Sequence, residues 1–130
     1  MTFGKILKEV PINKIGFVYS ITQKSSNIKY IGCKLFYRTV TRAPLKGKKR
    51  KRKEVKESDW KTYTSSGKWS DLIKGNPSDF TYEILYLCST KTELAAKETY
   101  EILGYYIRDE WNLLVNEMIN CRIRVRPKQR

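Results

Sequence analysis

The chain has 130 residues, with 27 Lys plus Arg, 13 Asp plus Glu, no His and 40% apolar residues, so its formal net charge is +14. This length and apolar content fit one folded domain and argue against wholesale disorder. The lack of His excludes Ser-His-Asp and Cys-His triads, His-metal sites and a His general base, so acid–base chemistry must use Tyr, Lys, Glu, Asp or a metal-bound water.

Two strands are predicted near the N-terminus. Residues 15–21 and 28–33 are rich in β-branched and aromatic side chains, which favour strands. The polar residues 23–27 between them are typical of a turn. Two short strands around a polar turn predict a β-hairpin.

A strongly basic segment follows the hairpin. Residues 46–56 carry eight positive charges and one negative charge. Like charges at this density repel one another, so we expect a mobile loop over residues 42–57 unless a polyanion neutralises it. Such a run indicates a nucleic-acid partner, and in a nuclear protein it would serve as a localisation signal. The sequence leaves both interpretations open.

The middle of the chain predicts a short helix and a third strand. Ser66 or Ser70 begins the helix, which runs through Ile73. Residues 80–88 place apolar or aromatic side chains at alternate positions, the pattern of a strand. A turn-forming segment at residues 75–79 separates the two elements.

A longer helix comes next. Thr90 or Thr92 caps it, and it ends at Gly104 or continues through residues 105–107.

Residues 111–119 form a short apolar segment. Residues 122–130 carry five positive charges, and their basic/apolar alternation predicts an edge strand or a tail over residues 121–130.

The termini and the cysteines narrow the class of protein. No stretch approaches the roughly 20 apolar residues of a membrane span. The N-terminus lacks the apolar core of a signal peptide, so we expect an intracellular, cytoplasmic protein. The three cysteines form no CxxC pair, which argues against a zinc site or a disulfide framework.

Two tyrosines mark the predicted hairpin. Tyr19 ends a Val-Tyr pair in the first strand, Tyr30 begins a Tyr-Ile-Gly triplet in the second, and ten residues lie between them. This spacing and the intact second triplet resemble the two half-motifs of the GIY-YIG nuclease family. The first half-motif is degenerate, because Phe17 stands at the family's glycine position and Gly16 is one residue early.

The later elements extend the resemblance to about residues 15–118. In the helix after the third strand, Glu98 matches the family's metal-binding glutamate, and Asn116 downstream matches its final asparagine. Residues 56–66 look like a pattern found in phage-encoded members of the homing-endonuclease type, which implies a phage protein acting in a bacterial host. The resemblance implies an α/β (α+β) fold: a small three-stranded, mainly antiparallel sheet flanked by helices, in one nuclease domain over residues 1–130.

The resemblance also assigns catalytic roles. Tyr19 would be the general base, since a tyrosine whose pKa is lowered by nearby cations can take this role where no His is present. Tyr30 would orient the water or the phosphate. Glu98 would bind Mg²⁺ or Mn²⁺, a site that needs only one strong carboxylate.

The family's phosphate-binding arginine, on a helix after the second strand, has two candidates here. Neither Arg38 nor Arg42 falls on the expected position, and the basic run disturbs the helix; Arg42 is slightly favoured. A third cation, Lys34, lies near the end of the second strand. The supporting residues of the predicted site are Gly32, Lys34 and Asn116.

We therefore expect a Mg²⁺-dependent DNA endonuclease without a small-molecule cofactor, and the resemblance implies 5′-phosphate and 3′-hydroxyl products. Few residues follow Asn116, so DNA contacts must come from the domain itself. Cutting both strands would need a homodimer or two successive nicks. A non-catalytic basic nucleic-acid-binding protein, or an adaptor or inhibitor that binds an acidic protein, are the alternatives. The predicted DNA contacts are Lys46, Lys48, Lys49, Arg50, Lys51, Arg52, Lys53, Lys56, Arg122, Arg124 and Arg126.

Overall fold

Strands and helices are both present in the described part of the chain. A computed structural model describes residues 2–65 and 67–116. The strands are β1 (Gly16–Gln23), β2 (Lys29–Leu35), β3 (Tyr37–Arg42), β4 (Arg52–Glu57) and β5 (Phe80–Cys88). The helices are α1 (Phe3–Ile6), α2 (Gly67–Gly75) and α3 (Lys91–Ile107). None of the helices in these ranges is long and apolar enough to cross a membrane.

Strands β2, β1 and β5 form an antiparallel sheet in that order. The first two are the predicted hairpin, whose register places Tyr19 opposite Gly32. Strand β5 is the predicted third strand and pairs with the other side of β1. The prediction of an α+β fold built on a small three-stranded antiparallel sheet is confirmed.

The two faces of β1 bury different apolar clusters. Because side chains alternate along a strand, Phe17, Tyr19 and Ile21 face an aromatic cluster, whereas Val18 faces helix α3. The ring of Phe3 from α1 lies 5.0 Å from the rings of both Phe17 and Tyr19. Strand β1 is buried on both sides, and the position of Tyr19 is therefore fixed by packing.

Helix α3 carries the predicted glutamate. Its N-cap is Thr90, whose hydroxyl accepts a hydrogen bond from the Glu93 N–H at 3.1 Å, so Thr90 is the cap of the two predicted. Gly104 does not end the helix, which continues to Ile107. The helix packs on β1 and β2 and so places Glu98 beside the hairpin.

The predicted short helix is α2, which buries Trp69 and Ile73. Its first residue is Gly67, and Ser66, one of the two predicted starts, lies outside the described residues. A turn at Pro77–Asp79 then leads into β5. The sequence pattern and the structure agree over this part of the chain.

The loop predicted for residues 42–57 is only partly correct, because residues 43–51 form a loop whereas residues 52–57 form a strand. Strands β3 and β4 pair antiparallel from Tyr37↔Glu57 to Arg42↔Arg52, so the ribbon (residues 37–57) is a two-stranded sheet. Both strands face solvent, where water and salt weaken repulsion between like charges. At the turn, Gly47 adopts φ +85° and Lys48 N–H donates to the Leu45 carbonyl at 2.8 Å.

The end of the described chain lies along β2. Leu114 forms a parallel bridge with Lys29, and Val115 N–H donates to the Lys29 carbonyl at 2.9 Å. This contact covers part of the outer edge of β2. The predicted basic segment over residues 121–130, with Arg122, Arg124 and Arg126, lies outside the described residues.

Candidate active site

A broad cleft opens at the outer edge of β2. It encloses about 1420 Å³ between β2, the start of the ribbon, the segment after the ribbon and the first half of α3. Polar side chains from all four parts of the chain reach it, so the fold brings together residues that are far apart in sequence. The polar or ionisable residues that line the cleft are Cys33, Lys34, Tyr37, Arg38, Thr39, Ser58, Tyr63, Lys91 and Glu98.

Three tyrosines cluster behind the cleft. The Tyr19 side chain is only 1% exposed, and its ring centre lies 6.2 Å from that of Tyr30 and 6.1 Å from that of Tyr63. Tyr30 is half-buried, and Tyr63 is half-buried and lines the cleft. The two predicted tyrosines therefore do meet, and they meet a third that the sequence did not single out.

The glycine of the second motif leaves room for this cluster. A Cβ placed on Gly32 would lie 2.6 Å from the Tyr19 hydroxyl oxygen and 2.9 Å from Cε1 of Tyr30. The Tyr19 ring crosses over Gly32, its partner on the neighbouring strand. Only a residue without a side chain permits so close an approach. Gly32 is therefore required by packing between the strands.

The acidity of the tyrosines contradicts one expectation. Burial, followed by the nearby Tyr63 and Tyr30, raises the pKa of Tyr19 well above its ordinary value, so the expected lowering by cations does not occur. Burial also raises the pKa of Tyr30 and Tyr63. The free protein therefore holds all three as neutral phenols near neutral pH.

Lys34 supplies a positive charge next to the cleft-lining tyrosine. Its Nζ lies 2.7 Å from Oδ1 of Asp59 and 4.1 Å from the ring centre of Tyr63. The hydrogen bond from Lys34 is the main cause that lowers the pKa of Asp59, and Arg38 adds a smaller effect. The cations Lys34 and Arg38 and the carboxylate of Asp59 thus lie close together at the mouth of the cleft.

The two candidate arginines differ in position. Arg38 lines the cleft at the start of β3. Arg42, which the sequence slightly favoured, does not line it; its Nε pairs with Oε2 of Glu54 at 2.8 Å. At about 3.3 Å per residue, Arg42 lies about 13 Å further along the strand. Both residues are on a strand and not on the helix that the family resemblance implied.

Glu98 brings its carboxylate into the cleft beside Cys33. Burial, then a hydrogen bond to Glu98 and its charge, raise the pKa of the Cys33 thiol to about 12, so the thiol stays protonated. Within residues 2–65 and 67–116, no group of three or more His, Cys, Asp or Glu is arranged to hold a metal ion. A lone carboxylate in an open cleft suits Mg²⁺, which keeps several waters and takes further ligands from substrate phosphate.

Asn116 clamps the outer edge of β2. Its Oδ1 accepts a hydrogen bond from Ile31 N–H at 3.0 Å, and its Nδ2 donates to the Ile31 carbonyl at 2.7 Å. The amide side chain satisfies both backbone groups as a neighbouring strand would. Asn116 therefore holds the segment between Tyr30 and Gly32 in place and does not line the cleft.

Sequence reasoning missed several neighbours of the site. Tyr63, Asp59 and Ser65 come from the segment after the ribbon, and the buried Ser65 hydroxyl has no hydrogen-bond partner among the described residues. No spacing rule links this segment to the hairpin. The resemblance of residues 56–66 to phage-encoded nucleases was the available signal.

The predicted DNA contacts on the ribbon are all exposed. The basic residues from Lys46 to Lys51 lie in the loop between its strands, while Arg52, Lys53 and Lys56 lie on β4. The loop lies at the end of the ribbon opposite to the one that lines the cleft. The predicted contacts Arg122, Arg124 and Arg126 fall beyond the part of the chain that the structure describes.

Comparison with known families agrees with this arrangement. A family model described as "Putative endonuclease segE, GIY-YIG domain" matches residues 1–113, most of the chain. Neither a search of curated proteins nor a search of solved structures gives a match. The matched range includes the hairpin with its two tyrosines, the ribbon and helix α3 with Glu98. The chain therefore belongs to this GIY-YIG endonuclease family.

Proposed function

We propose that the chain is a Mg²⁺-dependent endonuclease that hydrolyses phosphodiester bonds of DNA in the cleft at the edge of β2. The observation that carries the proposal is the convergence of Lys34, Arg38, Tyr63 and Glu98 on one cleft. Phosphodiester hydrolysis needs positive charge on the phosphoryl oxygens, a group that accepts a proton from water, and help for the leaving oxygen. These side chains supply each of those functions.

Arg38 is the residue that we assign to the scissile phosphate. Its guanidinium presents a rigid fork of donors, which matches two phosphate oxygens. Arg38 lines the cleft. Arg42 lies about 13 Å further along β3 and forms an ion pair with Glu54. Lys34 adds a second positive charge at the same mouth, beside Asp59.

Tyr63 is the tyrosine that we assign to the attacking water. It lines the cleft, while Tyr19 is buried behind it. In the free protein, burial raises the pKa of Tyr63, Tyr19 opposes this effect, and Asp59 and Cys33 add to it. The Nζ of Lys34 lies 4.1 Å from the centre of the Tyr63 ring. In its phenolate form Tyr63 would accept the proton of the attacking water, and positive charge from Lys34 and from a bound metal ion would favour that form. Tyr30 packs beside them and orients the pair.

Glu98 is the residue that we assign to the metal ion, with no other protein ligand required. When bound, Mg²⁺ would supply Lewis-acid charge neutralisation on the phosphate and the leaving oxygen. The thiol of Cys33 lines the same cleft, and the charge of Glu98 contributes to the raised pKa of that thiol. A cleft of this kind cuts one strand at a time, so a double-strand break requires a second copy or a second nick.

The proposal is tested by incubating the full chain with supercoiled plasmid in Mg²⁺, in Mn²⁺ and in EDTA. We expect nicked and then linear DNA with either metal and none in EDTA, with 5′-phosphate ends that a ligase can rejoin. Plasmid binding without any cleavage in either metal would instead indicate a non-catalytic nucleic-acid-binding protein. Absence of binding at moderate salt would indicate an adaptor for an acidic protein.

A further inference from the structure

The register of the ribbon sorts its side chains onto two faces. In an antiparallel pair, directly opposite residues share a face, and the faces alternate along each strand. One face, termed here the cationic face, holds Arg38, Val40, Arg42, Arg52, Glu54 and Lys56. The opposite face holds Tyr37, Thr39, Thr41, Lys53, Val55 and Glu57.

The charge on the two faces differs sharply. The cationic face carries four positive charges and one negative charge, a net charge of +3. The opposite face carries Lys53 and Glu57, whose charges cancel. Only one face of the ribbon strands therefore carries a net positive charge. The run of basic residues in the sequence does not reveal this difference.

Contacts between the side chains agree with this assignment. Arg42 and Glu54 pair at 2.8 Å, as diagonal neighbours on one face do. Hydrogen bonding and charge from Arg42 lower the pKa of Glu54, with smaller effects from Lys56 and Arg52. All the cations that act on Glu54 are thus residues of the cationic face.

The cationic face is continuous with the cleft. Three ribbon residues line the cleft: the charged Arg38 from the cationic face, and the uncharged Tyr37 and Thr39 from the opposite face. On the opposite face, Oε1 of the exposed Glu57 accepts a hydrogen bond from Nε1 of the buried Trp60 at 2.9 Å. A ligand that places a phosphate in the cleft therefore meets the cationic face as it extends along the ribbon.

We propose that duplex DNA lies on the cationic face of the ribbon, which extends the contact beyond the cleft to one side of the cleaved bond. Six residues of strand span about 20 Å, which corresponds to about six base pairs. A two-stranded ribbon also fits the major groove of B-form DNA, so the match is to a duplex and not to a small anion. This inference rests on the proposed function, since DNA occupies the cleft only if the domain is a nuclease.

Two lysines on β4 provide a matched pair for the test. Lys56 lies on the cationic face and Lys53 on the opposite face, and both are exposed. Lys56→Gln and Lys53→Gln remove the same charge from the same strand. Binding of a 30-base-pair duplex of random sequence is measured by fluorescence anisotropy in EDTA, so that no strand is cut, over a range of salt concentrations. Urea unfolding of each variant establishes that the domain is folded.

We expect Lys56→Gln to reduce the slope of log affinity against log salt by about 1, as the loss of one phosphate contact does. The proposal places DNA on the cationic face alone, so it removes Lys53 from the contacts predicted from the sequence, and Lys53→Gln should leave the slope unchanged. Equal losses in the two variants, or no loss in either, would overturn the inference. Equal competition by polyglutamate and by duplex DNA of the same total charge would also overturn it, in favour of an acidic protein partner. A face-specific loss in a protein that never cleaves plasmid would support the ribbon surface and refute the nuclease proposal.

Discussion

Gly32→Ala tests whether the two motif tyrosines are fixed by close packing between the strands. The added Cβ would lie 2.6 Å from the Tyr19 hydroxyl oxygen, 2.8 Å from Cζ and 2.9 Å from Cε1 of Tyr30. The Tyr19 ring cannot easily move away, because the ring of Phe3 lies 5.0 Å from it and that of Tyr63 6.1 Å from it. Overpacking of this kind costs about 1–3 kcal/mol of stability.

The same displacement should reduce cleavage more than it reduces stability. A shift of about 1 Å in a catalytic group lowers the rate by up to about 100-fold. We expect Gly32→Ala to lower the urea midpoint and to slow plasmid nicking well beyond the fraction of protein that is unfolded. The matched control is Gly75→Ala at the end of α2, where a Cβ meets nothing within 4 Å. This control should be neutral or slightly stabilising, by about 0.4–1 kcal/mol.

A double-mutant cycle identifies the atom responsible. Tyr19→Phe removes the hydroxyl oxygen, which is the atom nearest the new Cβ, and leaves Cζ at 2.8 Å. The double variant Gly32→Ala with Tyr19→Phe should therefore recover part of the stability that the single Gly32→Ala variant loses. A Gly32→Ala protein with wild-type stability and wild-type nicking would refute the packing explanation.

Three further predictions follow from other contacts. Asn116→Ala should destabilise the domain by about 1–3 kcal/mol, because it leaves the Ile31 backbone groups unpaired, and hydrogen exchange at the Ile31 amide should accelerate; unchanged exchange would contradict the clamp. Arg38→Gln should lower the single-turnover cleavage rate by about 100-fold or more, because Arg38 lines the cleft. Arg42→Gln should alter DNA binding and leave that rate nearly unchanged. A larger loss of rate in Arg42→Gln than in Arg38→Gln would restore Arg42 as the phosphate ligand. Burial raises the pKa of Tyr19, Tyr30 and Tyr63 in the folded state. Their contribution to stability is therefore complete below about pH 10 and is lost as the pH rises above that value. Absorbance at 295 nm should show these three tyrosines ionising only when the protein unfolds in alkali.

The hairpin, the third strand and helix α3 were predictable because their signals are local. Strand β1 and strand β2 each carry β-branched and aromatic residues over a short range, and Thr90 is a strong N-cap. The spacing of Tyr19 and Tyr30 depends only on the hairpin register. These elements therefore follow from the order of residues without knowledge of the rest of the fold.

The ribbon was not predictable from the same kind of signal. Its strands are exposed on both faces, so no alternation of apolar and polar residues marks them. Repulsion between like charges argued for a loop, but solvent exposure weakens that repulsion, and the turn at Gly47 and the Arg42–Glu54 ion pair favour the pairing. The sorting of charges onto two faces depends on the register, which only the structure provides.

The acidity of Tyr19 was wrongly predicted for a related reason. Its pKa is raised because Phe3 and the rest of the aromatic cluster exclude water from it, and helix α1 was not among the predicted elements. The position of Tyr63 in the cleft likewise depends on a contact with Lys34, which lies 29 residues earlier in the chain. Contacts of this range have no local sequence signal.

In the proposed function, Glu98 and the cleft that it lines carry out phosphodiester hydrolysis. The most direct test compares Glu98→Gln with Glu93→Gln, which removes a carboxylate from the same helix but outside the cleft. We predict that Glu98→Gln lowers single-turnover cleavage in Mg²⁺ by at least about 100-fold while duplex binding in EDTA is unchanged, and that Glu93→Gln cleaves at nearly the wild-type rate. Cleavage by Glu98→Gln at the wild-type rate, or an equal loss in both variants, would contradict the account.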